Sequence, residues 1–137
     1  KDPYTDAELY AIPAIRPDWA IIHVQEADAL GNARIYGSSY WDLVMSRAAS
    51  RVILTAERLL PTEELARLPE LTRIPHFLVA AVVLAPEGAR PTSCHPYYGI
   101  DEAAVRDYLE AAELPESLQA YLDASDLPLR TVAASGR

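Results

Sequence analysis

Three runs of mostly apolar residues divide the chain, at residues 19–24, 51–56 and 77–84. Each is rich in Ile, Val, Leu and Ala and shows little polar alternation, which is typical of strands that are covered on both faces. A shorter alternating run at residues 33–36 follows a Gly-Asn turn and predicts a return strand. Because helical segments separate the main runs, we expect right-handed crossovers and parallel pairing.

Helical periodicity occurs between and after these strands. Apolar residues recur at i, i+3, i+4 and i+7 from Trp41 to Ala48, which predicts a helix with that face turned inward. Ser39 is positioned to cap it, with Asp42 three residues further on. Three further helices are predicted, and they begin near Thr62, Asp101 and Pro115.

Together these elements predict an α/β fold with a mainly parallel open sheet flanked by helices. The pattern leaves open whether the first two strands form an antiparallel hairpin, which would make the sheet mixed. The length of 137 residues suits one domain. We assign residues 1–125 to that domain and the polar residues 126–137 to a tail. The chain begins at Lys1 rather than Met, so we interpret it as a fragment whose natural beginning is missing.

Charge and composition exclude several kinds of partner. The 12 Lys and Arg against 20 Asp and Glu give a net charge of −8, which disfavours nucleic acid and anionic membrane surfaces. No apolar run approaches the roughly 18 residues of a membrane-spanning helix. The single cysteine, Cys94, excludes an internal disulfide framework. We expect a cytoplasmic protein that binds neither nucleic acid nor membrane.

The carboxyl ends of the predicted strands are the expected place for a site, since open α/β sheets bind ligands there. Three connections are predicted to leave those ends, at residues 37–39, 57–60 and 86–99, and we expect them to frame one pocket. The last is the longest. Irregular loops of that length in a compact domain are more often functional than ordinary connections.

The long loop contains Ser93, Cys94 and His95, which together suggest a nucleophile. Adjacent Cys and His side chains diverge in an extended chain, however, whereas a catalytic pair must meet in space. The simplest interpretation is a packed loop anchored by its tyrosines. Contact with a substrate or a partner is the other alternative.

Other polar residues have both a structural and a functional interpretation. Glu26, Asp28 and Glu57 are candidate bases or nucleophiles, although structural or solvated carboxylates are commoner. His23, inside an apolar strand, is interpreted as a hydrogen-bonded core or interface histidine. The three histidines lie on separate elements without ligand spacing, so we predict no metal site. No G-x-G-x-x-G or Walker motif occurs, which leaves nucleotide chemistry unsupported.

Three segments together resemble a known family: residues 13–28 continuing to Gly31-Asn32, residues 48–57, and residues 79–93 followed by Tyr97-Tyr98. In order and spacing they are similar to the later half of the α (A-type) subunit of family I coenzyme A-transferases, especially the glutaconate CoA-transferase branch. The likeness covers roughly residues 8–110.

That resemblance implies a function. These enzymes move CoA between an acyl-CoA and a carboxylate, and the β-type subunit carries a glutamate that attacks the thioester to form a glutamyl-CoA intermediate. The α subunit supplies one wall of the cleft and much of the interface. No segment here matches the β-type nucleophile motif, so no catalytic residue is assigned to this chain. CoA is expected as a substrate, without a separate cofactor.

The resemblance also implies partners and contact residues. The expected partners are the missing N-terminal half and a β-type subunit, in a hetero-oligomer that binds acyl-CoA and carboxylate substrates; the chain alone is expected to be inactive. A similar α/β pair in the same superfamily catalyses hydrolytic ring opening of CoA thioesters, and a non-catalytic assembly module is a third interpretation. Six residues are candidates for the cleft or interface: Gln25, Gly31, Asn32, Ser93, Tyr97 and Tyr98.

Overall fold

The computed structural model describes residues 1–124. Its strands are β1 (Trp19–Ala27), β2 (Ala33–Arg34), β3 (Arg51–Leu59), β4 (Thr72–Ile74) and β5 (Val79–Leu84). Its helices are α1 (Asp42–Ala48), α2 (Thr62–Ala66), α3 (Glu102–Ala111) and α4 (Pro115–Ala124). Two 3-10 turns, Pro69–Leu71 and His76–Leu78, flank β4. Residue 125 and the predicted tail over residues 126–137 lie outside the described residues.

The sheet has the strand order β4-β2-β1-β3-β5 and is mixed. β1, β3 and β5 pair in parallel, whereas β2 runs antiparallel to both β1 and β4. α1 lies in the connection between β1 and β3, and α2 in the connection between β3 and β5, as parallel crossovers require. The predicted α/β fold is therefore confirmed, and the first two strands do form an antiparallel hairpin.

The core lies on one face of the parallel strands. Ile22 of β1 is paired with Leu54 of β3, and both are almost fully buried together with Ile74 of β4. The opposite face is uncovered at its amino end, where Trp19 and Ile21 are 47% and 68% exposed. Since parallel sheets are normally covered on both faces, this surface lacks its cover within residues 1–124.

β1 and β3 are longer than predicted, because polar residues continue them. Glu26 and Glu57 interrupt the apolar pattern, yet both lie within the strands and are buried. Buried polar side chains are tolerated where they are hydrogen-bonded, and these two have several partners. The segment predicted as a connection at residues 57–60 is therefore mostly strand.

The sequence pattern does not predict β4. This strand has three residues at the edge of the sheet, and its first two are polar, so neither length nor alternation marks it. The return strand predicted at residues 33–36 is shorter, at Ala33–Arg34. The third main strand begins at Val79 rather than residue 77, because a 3-10 turn precedes it.

α1 differs most from its prediction. It begins later than expected and has no side-chain cap, so Ser39 does not cap it. Trp41 and Val44, predicted to face inward, are 73% and 58% exposed. Leu43 packs against the core instead, and Ser46 is buried. The periodicity shows which residues share a face, whereas the neighbouring elements decide which face is covered.

The last two helices begin as predicted. Asp101 caps α3, because its side chain accepts a hydrogen bond from the backbone N–H of Ala104 at 3.0 Å. α4 begins with Pro115. The rings of Tyr108 and Tyr121 join the two helices edge to face, with centroids 5.8 Å apart. Among residues 1–124, no helix combines the length and apolarity needed to cross a bilayer.

Gly31 in the β1–β2 turn and Gly37 after β2 allow a test of the packing around that turn. Gly31 and Gly37 have positive φ, at +107° and +84°, but a Cβ on Gly31 would lie 2.8 Å from Val79, whereas nothing lies within 4 Å at Gly37. We expect Gly37→Ala to lower the free energy of unfolding by about 1–2 kcal/mol, the cost of left-handed backbone. Gly31→Ala should cost about a further 1–3 kcal/mol because the methyl group has no room. Urea unfolding measures both, and equal losses would contradict the close contact.

Candidate functional site

Buried and partly buried polar residues gather near the carboxyl ends of β1 and β3. His23 and Gln25 belong to β1, and Thr55 and Glu57 to β3, with His23 paired directly beside Thr55. Because alternate residues of a strand share a face, these four side chains lie on one side of the sheet. The loop of residues 85–99, which follows β5, makes hydrogen bonds to several of them.

The carboxylate of Glu57 is the centre of this group. Its Oε1 pairs with Nε2 of His23 at 2.7 Å and accepts the hydroxyl hydrogen of Tyr98. Its Oε2 accepts the backbone N–H of Glu87 at 2.7 Å. On the other side of the imidazole, Nδ1 of His23 lies 2.8 Å from Oγ1 of Thr55. Glu57 thus joins β1, β3 and the loop after β5.

These contacts shift the protonation of Glu57 and Tyr98 in opposite directions. Burial raises the pKa of Glu57, but the hydrogen bonds from Tyr98, the Glu87 backbone and His23 outweigh it, so the pKa lies below its usual value. Burial and the hydrogen bond to the Glu57 carboxylate raise the pKa of Tyr98. At neutral pH a charged acceptor therefore faces a protonated donor, which is the strong form of this hydrogen bond.

A second buried carboxylate, Glu26, lies on the opposite face of β1. It is 3.4 Å from Nη1 of Arg34 and 3.7 Å from Nη1 of Arg58, and it accepts the hydroxyls of Tyr36 and Tyr97. Two guanidinium groups balance its charge and both oxygens have partners, so Glu26 has a structural role. The interpretation of this residue as a structural carboxylate agrees with its contacts.

Two consecutive tyrosines fasten the long loop to the sheet. The hydroxyl of Tyr97 donates a hydrogen bond to Glu26 and that of Tyr98 donates one to Glu57. The two tyrosines therefore attach the loop to opposite faces of the sheet. Nε2 of Gln25 adds a third tie, because it donates a hydrogen bond to the carbonyl of the loop residue His95 at 2.7 Å. The tyrosines anchor the loop, as the simplest interpretation of its sequence held, but most residues of the loop are exposed and only Cys94 is buried.

An open cleft of about 420 Å³ lies between this loop and the segment that follows β2. Gln25 lines it, with Ser38 from the segment after β2 and Ser93 and His95 from the loop. The amide of Gln25 contacts both sides, since its Oε1 also accepts the backbone N–H of Tyr36 at 3.2 Å. Two of the three predicted connections therefore line one cleft.

The connection at residues 37–39 lies at the cleft for a different reason from the one predicted. Residues 37–39 do not leave a carboxyl end shared with the parallel strands, because β2 is antiparallel to β1. They reach the cleft because the chain after β2 turns back along β1, where Tyr36 bonds to Gln25. The predicted pocket is therefore present in part: residues 37–39 and 86–99 contribute to its lining, whereas residues 57–60 do not and belong mostly to β3. Of the two connections that line it, only residues 86–99 follow the end of a parallel strand.

Gly31 and Asn32 lie outside the lining of the cleft. Asn32 donates a hydrogen bond to Oδ2 of Asp28 at 2.8 Å and accepts the backbone N–H of His76 at 3.1 Å. The fully buried Asp28 holds the turn, because its Oδ1 accepts the backbone N–H groups of residues 30–32. Both residues therefore shape the β1–β2 turn, whereas Gln25 and Ser93 line the cleft and the two tyrosines anchor its loop.

Cys94 lies close to His23 and Glu57. One donor atom from each of these three residues lies within 4.8 Å of the others. Burial raises the pKa of the Cys94 thiol, and the charge of Glu57 raises it further, which argues against a thiolate nucleophile. Sequence spacing gave no sign of this cluster, because its members come from β1, β3 and the loop after β5. The sequence could have indicated part of the cluster through the predicted parallel pairing of the two strands, which places residues 23 and 57 on the same face of the sheet.

Comparison with known proteins identifies the family. A model of the coenzyme A transferase family matches residues 3–85. The chain belongs to the coenzyme A transferase family. The A-type subunit of glutaconate CoA-transferase from Acidaminococcus fermentans is 36% identical over 121 residues, which cover 88% of this chain and 38% of that one. The crystal structure of glutaconate coenzyme A-transferase from that organism matches with a TM-score of 0.83 and 34% identity, over 88% of this chain and 38% of that one.

Proteins named for other activities match as well. The IpdA subunit of the cholesterol ring-cleaving hydrolase of Mycobacterium tuberculosis is 38% identical over 117 residues, or 83% of this chain and 40% of that one. The crystal structure of a variant of the decarboxylase AibA/AibB matches with a TM-score of 0.74 and 36% identity, over 89% of this chain and 45% of that one. The chain thus spans less than half the length of each of these relatives.

Removing the charge of Glu57 should loosen the long loop. We expect Glu57→Gln to lower the free energy of unfolding by about 1–3 kcal/mol, because the amide cannot satisfy the donors that now face the carboxylate. Glu87→Gln is the matched control, since Glu87 contributes its backbone N–H to this network while its side chain is exposed. Urea unfolding with a chelator present compares the two, and similar losses would show that Glu57 does not anchor the loop.

Asp28 should make stability depend on acid pH. Burial raises its pKa, but the hydrogen bonds from Asn32 and the turn hold it below the usual value. A lowered pKa contributes stability above the unfolded-state pKa of about 3.9, and that contribution disappears as the pH falls through the folded-state value. We expect Asp28→Asn to destabilise the chain at pH 7, with the difference shrinking below about pH 4. The exposed Asp18→Asn serves as control; a pH-independent difference would rule this out.

Proposed function

We propose that the chain is the α-subunit portion of a CoA-transferase, which moves CoA between an acyl-CoA and a carboxylate. In this proposal the chain forms one wall of the active-site cleft, and a β-type subunit supplies the glutamate that attacks the thioester. The enzyme is a cytoplasmic hetero-oligomer that also includes the remainder of an A-type subunit, and CoA enters it as a substrate.

The state of the two buried carboxylates near the cleft carries this proposal. The oxygens of Glu26 are occupied by two tyrosines and two arginines, and those of Glu57 by His23, Tyr98 and a backbone N–H. A carboxylate that is fully engaged in this way is not available to attack a thioester. The cleft in residues 1–124 is therefore suited to hold a substrate while a carboxylate from another chain reacts with it.

The lining of the cleft fits that task. Ser38 and Ser93 present hydroxyl groups, and a thioester carbonyl becomes more reactive when donors of this kind polarise it. Ser93 is exposed and its hydroxyl makes no hydrogen bond within the described residues. Gln25, in contrast, already uses its amide to hold the cleft together. We assign Ser93 to substrate contact, and Tyr97 and Tyr98 to the anchoring of the loop.

Uncovered apolar surface supports the need for a partner. Tyr40 lines the cleft and is 84% exposed, and its neighbour Trp41 is 73% exposed. Trp19 and Ile21 are uncovered on the sheet face that carries His23. Exposed apolar surface of this kind marks sites of protein–protein contact. The remainder of the A-type fold and a β-type subunit are the proposed covers.

Hydrolytic ring opening of a CoA thioester is the alternative activity. It is supported by the 38% identity to the IpdA subunit of a ring-cleaving hydrolase, which is close to the 36% identity to the transferase subunit. A non-catalytic assembly module is supported less well. Such a module needs an apolar patch, whereas here polar side chains also converge at the carboxyl ends of the strands.

Reconstitution tests the proposed activity. We expect no turnover by the 137-residue chain alone, and CoA exchange when the complete A-type subunit that contains it is purified with its β-type partner. Exchange from several acyl-CoAs to acetate or dicarboxylates is measured beside hydrolysis and decarboxylation. Hydrolysis without exchange would favour the alternative, and turnover by the chain alone would refute the proposed division of labour.

Ser93 gives a residue-level test in the same complex. We expect Ser93→Ala to lower kcat/KM by about tenfold, since one hydrogen bond to the substrate contributes about 1.4 kcal/mol. Ser50→Ala is the matched control, because Ser50 precedes β3 at the opposite end of the sheet. Equal kinetics for the two variants would remove Ser93 from the substrate site.

A further inference from the structure

Three side chains with metal-binding donors converge beside the cleft from three different elements. His23 comes from β1, Glu57 from β3 and Cys94 from the loop after β5. One donor atom of each lies within 4.8 Å of the other two, and no second group of three such residues occurs within residues 1–124. We propose that His23, Glu57 and Cys94 form a binding site for a divalent metal ion, and that Zn²⁺ is the ion it prefers.

The donor set selects the ion. An imidazole nitrogen, a carboxylate oxygen and a thiolate sulfur are all ordinary zinc ligands, whereas Mg²⁺ and Ca²⁺ avoid nitrogen and sulfur. Three protein ligands with one open position are the arrangement of zinc sites that exchange a water or a substrate. His23 and Cys94 both line the cleft, so the open position faces it.

Neighbouring groups already orient the ligands. Oγ1 of Thr55 lies 2.8 Å from Nδ1 of His23, on the side of the ring away from Glu57, and accepts the Nδ1 hydrogen when Nε2 binds a metal. The hydroxyl of Tyr98 and the backbone N–H of Glu87 hold the carboxylate of Glu57. Outer contacts of this kind fix the tautomer and the direction of metal ligands.

Metal binding would change the contact between His23 and Glu57. Nε2 of His23 and Oε1 of Glu57 are 2.7 Å apart and share a hydrogen. Two ligands on one tetrahedral zinc ion are separated by about 3.3 Å, given bond lengths of about 2.0–2.1 Å. Metal binding therefore replaces the shared hydrogen and opens this pair by about half an ångström, while Cys94 loses its thiol proton.

A bound ion would cross-link β1, β3 and the long loop. Because the three ligands are brought together only by the fold, the ion binds the folded chain and stabilises it as its concentration rises above the dissociation constant. This role does not depend on the proposed CoA-transferase activity. It predicts a metal-dependent change in the stability of the loop that forms one wall of the cleft.

Cobalt is the probe that tests the site directly. Metal-free 137-residue chain, without a histidine tag, is titrated with Co²⁺ while its near-ultraviolet and visible absorption is recorded. We expect one equivalent to bind with the strong visible bands of tetrahedral cobalt and a thiolate-to-cobalt charge-transfer band. Zn²⁺ should displace the cobalt and raise the melting temperature of the chain.

Variants assign the ligands. Cys94→Ser should abolish the charge-transfer band, and His23→Gln should remove the rise in melting temperature with Zn²⁺. Thr55→Val should keep the band but weaken cobalt binding by about 10–100-fold. His76→Gln removes an exposed histidine outside the cluster and should change nothing. Circular dichroism establishes that each variant is folded.

The outcomes separate this proposal from the proposed activity, because every readout is optical or thermal. Cobalt binding without a charge-transfer band, or a band that survives Cys94→Ser, would place the ion elsewhere and overturn the proposal. Failure to bind cobalt at all would overturn it too. Loss of CoA exchange in the reconstituted complex would leave the metal titration unaffected.

Discussion

The rest of the site depends on the carboxylate of Glu57. A loop with several prolines and little regular structure forms one wall of the cleft, and that wall needs a fixed attachment to the sheet. Glu57 supplies it by accepting hydrogen bonds from Tyr98 and from the Glu87 backbone while it pairs with His23. Because its pKa is lowered, the attachment stays charged throughout the neutral range. The cost of burying this charge is offset by donors from β1 and from the loop after β5, which is why that loop, β1 and β3 form one unit.

This arrangement separates the framework of the cleft from its chemistry. Relatives with similar identity to this chain come from a CoA-transferase, a ring-cleaving hydrolase and a decarboxylase. A shared fold therefore accompanies three reaction types. Within residues 1–124 the two buried carboxylates of Glu26 and Glu57 hold the structure together, which agrees with the proposal that the reacting glutamate belongs to another chain.

The sequence predicts the framework well and the site less well, for physical reasons. Apolar runs located β1, β3 and β5, and the rule that ligands bind at carboxyl strand ends located the cleft. An apolar pattern ends at the first polar residues, even where those residues are buried. It therefore did not show that β1 and β3 continue through Glu26 and Glu57. It also assigned the covered face of α1 to Trp41 rather than Leu43, because periodicity contains no information about the neighbouring element. The cluster around His23 requires the parallel register of β1 and β3 and the path of the loop, neither of which spacing along the chain provides.

The surface of the sheet supports the proposed assembly independently of the cleft. Within residues 1–124, β5 ends the sheet, and it is an apolar strand without charge or proline. Proteins protect such edges with charges, prolines or covering segments, because an open edge pairs with other strands. The neighbouring face is also uncovered at Trp19 and Ile21. An open edge beside an open face is unfavourable for an isolated domain but suits a sheet that further strands and helices cover. The matched relatives are more than twice as long as the part this chain spans, so they contain enough polypeptide to provide that cover.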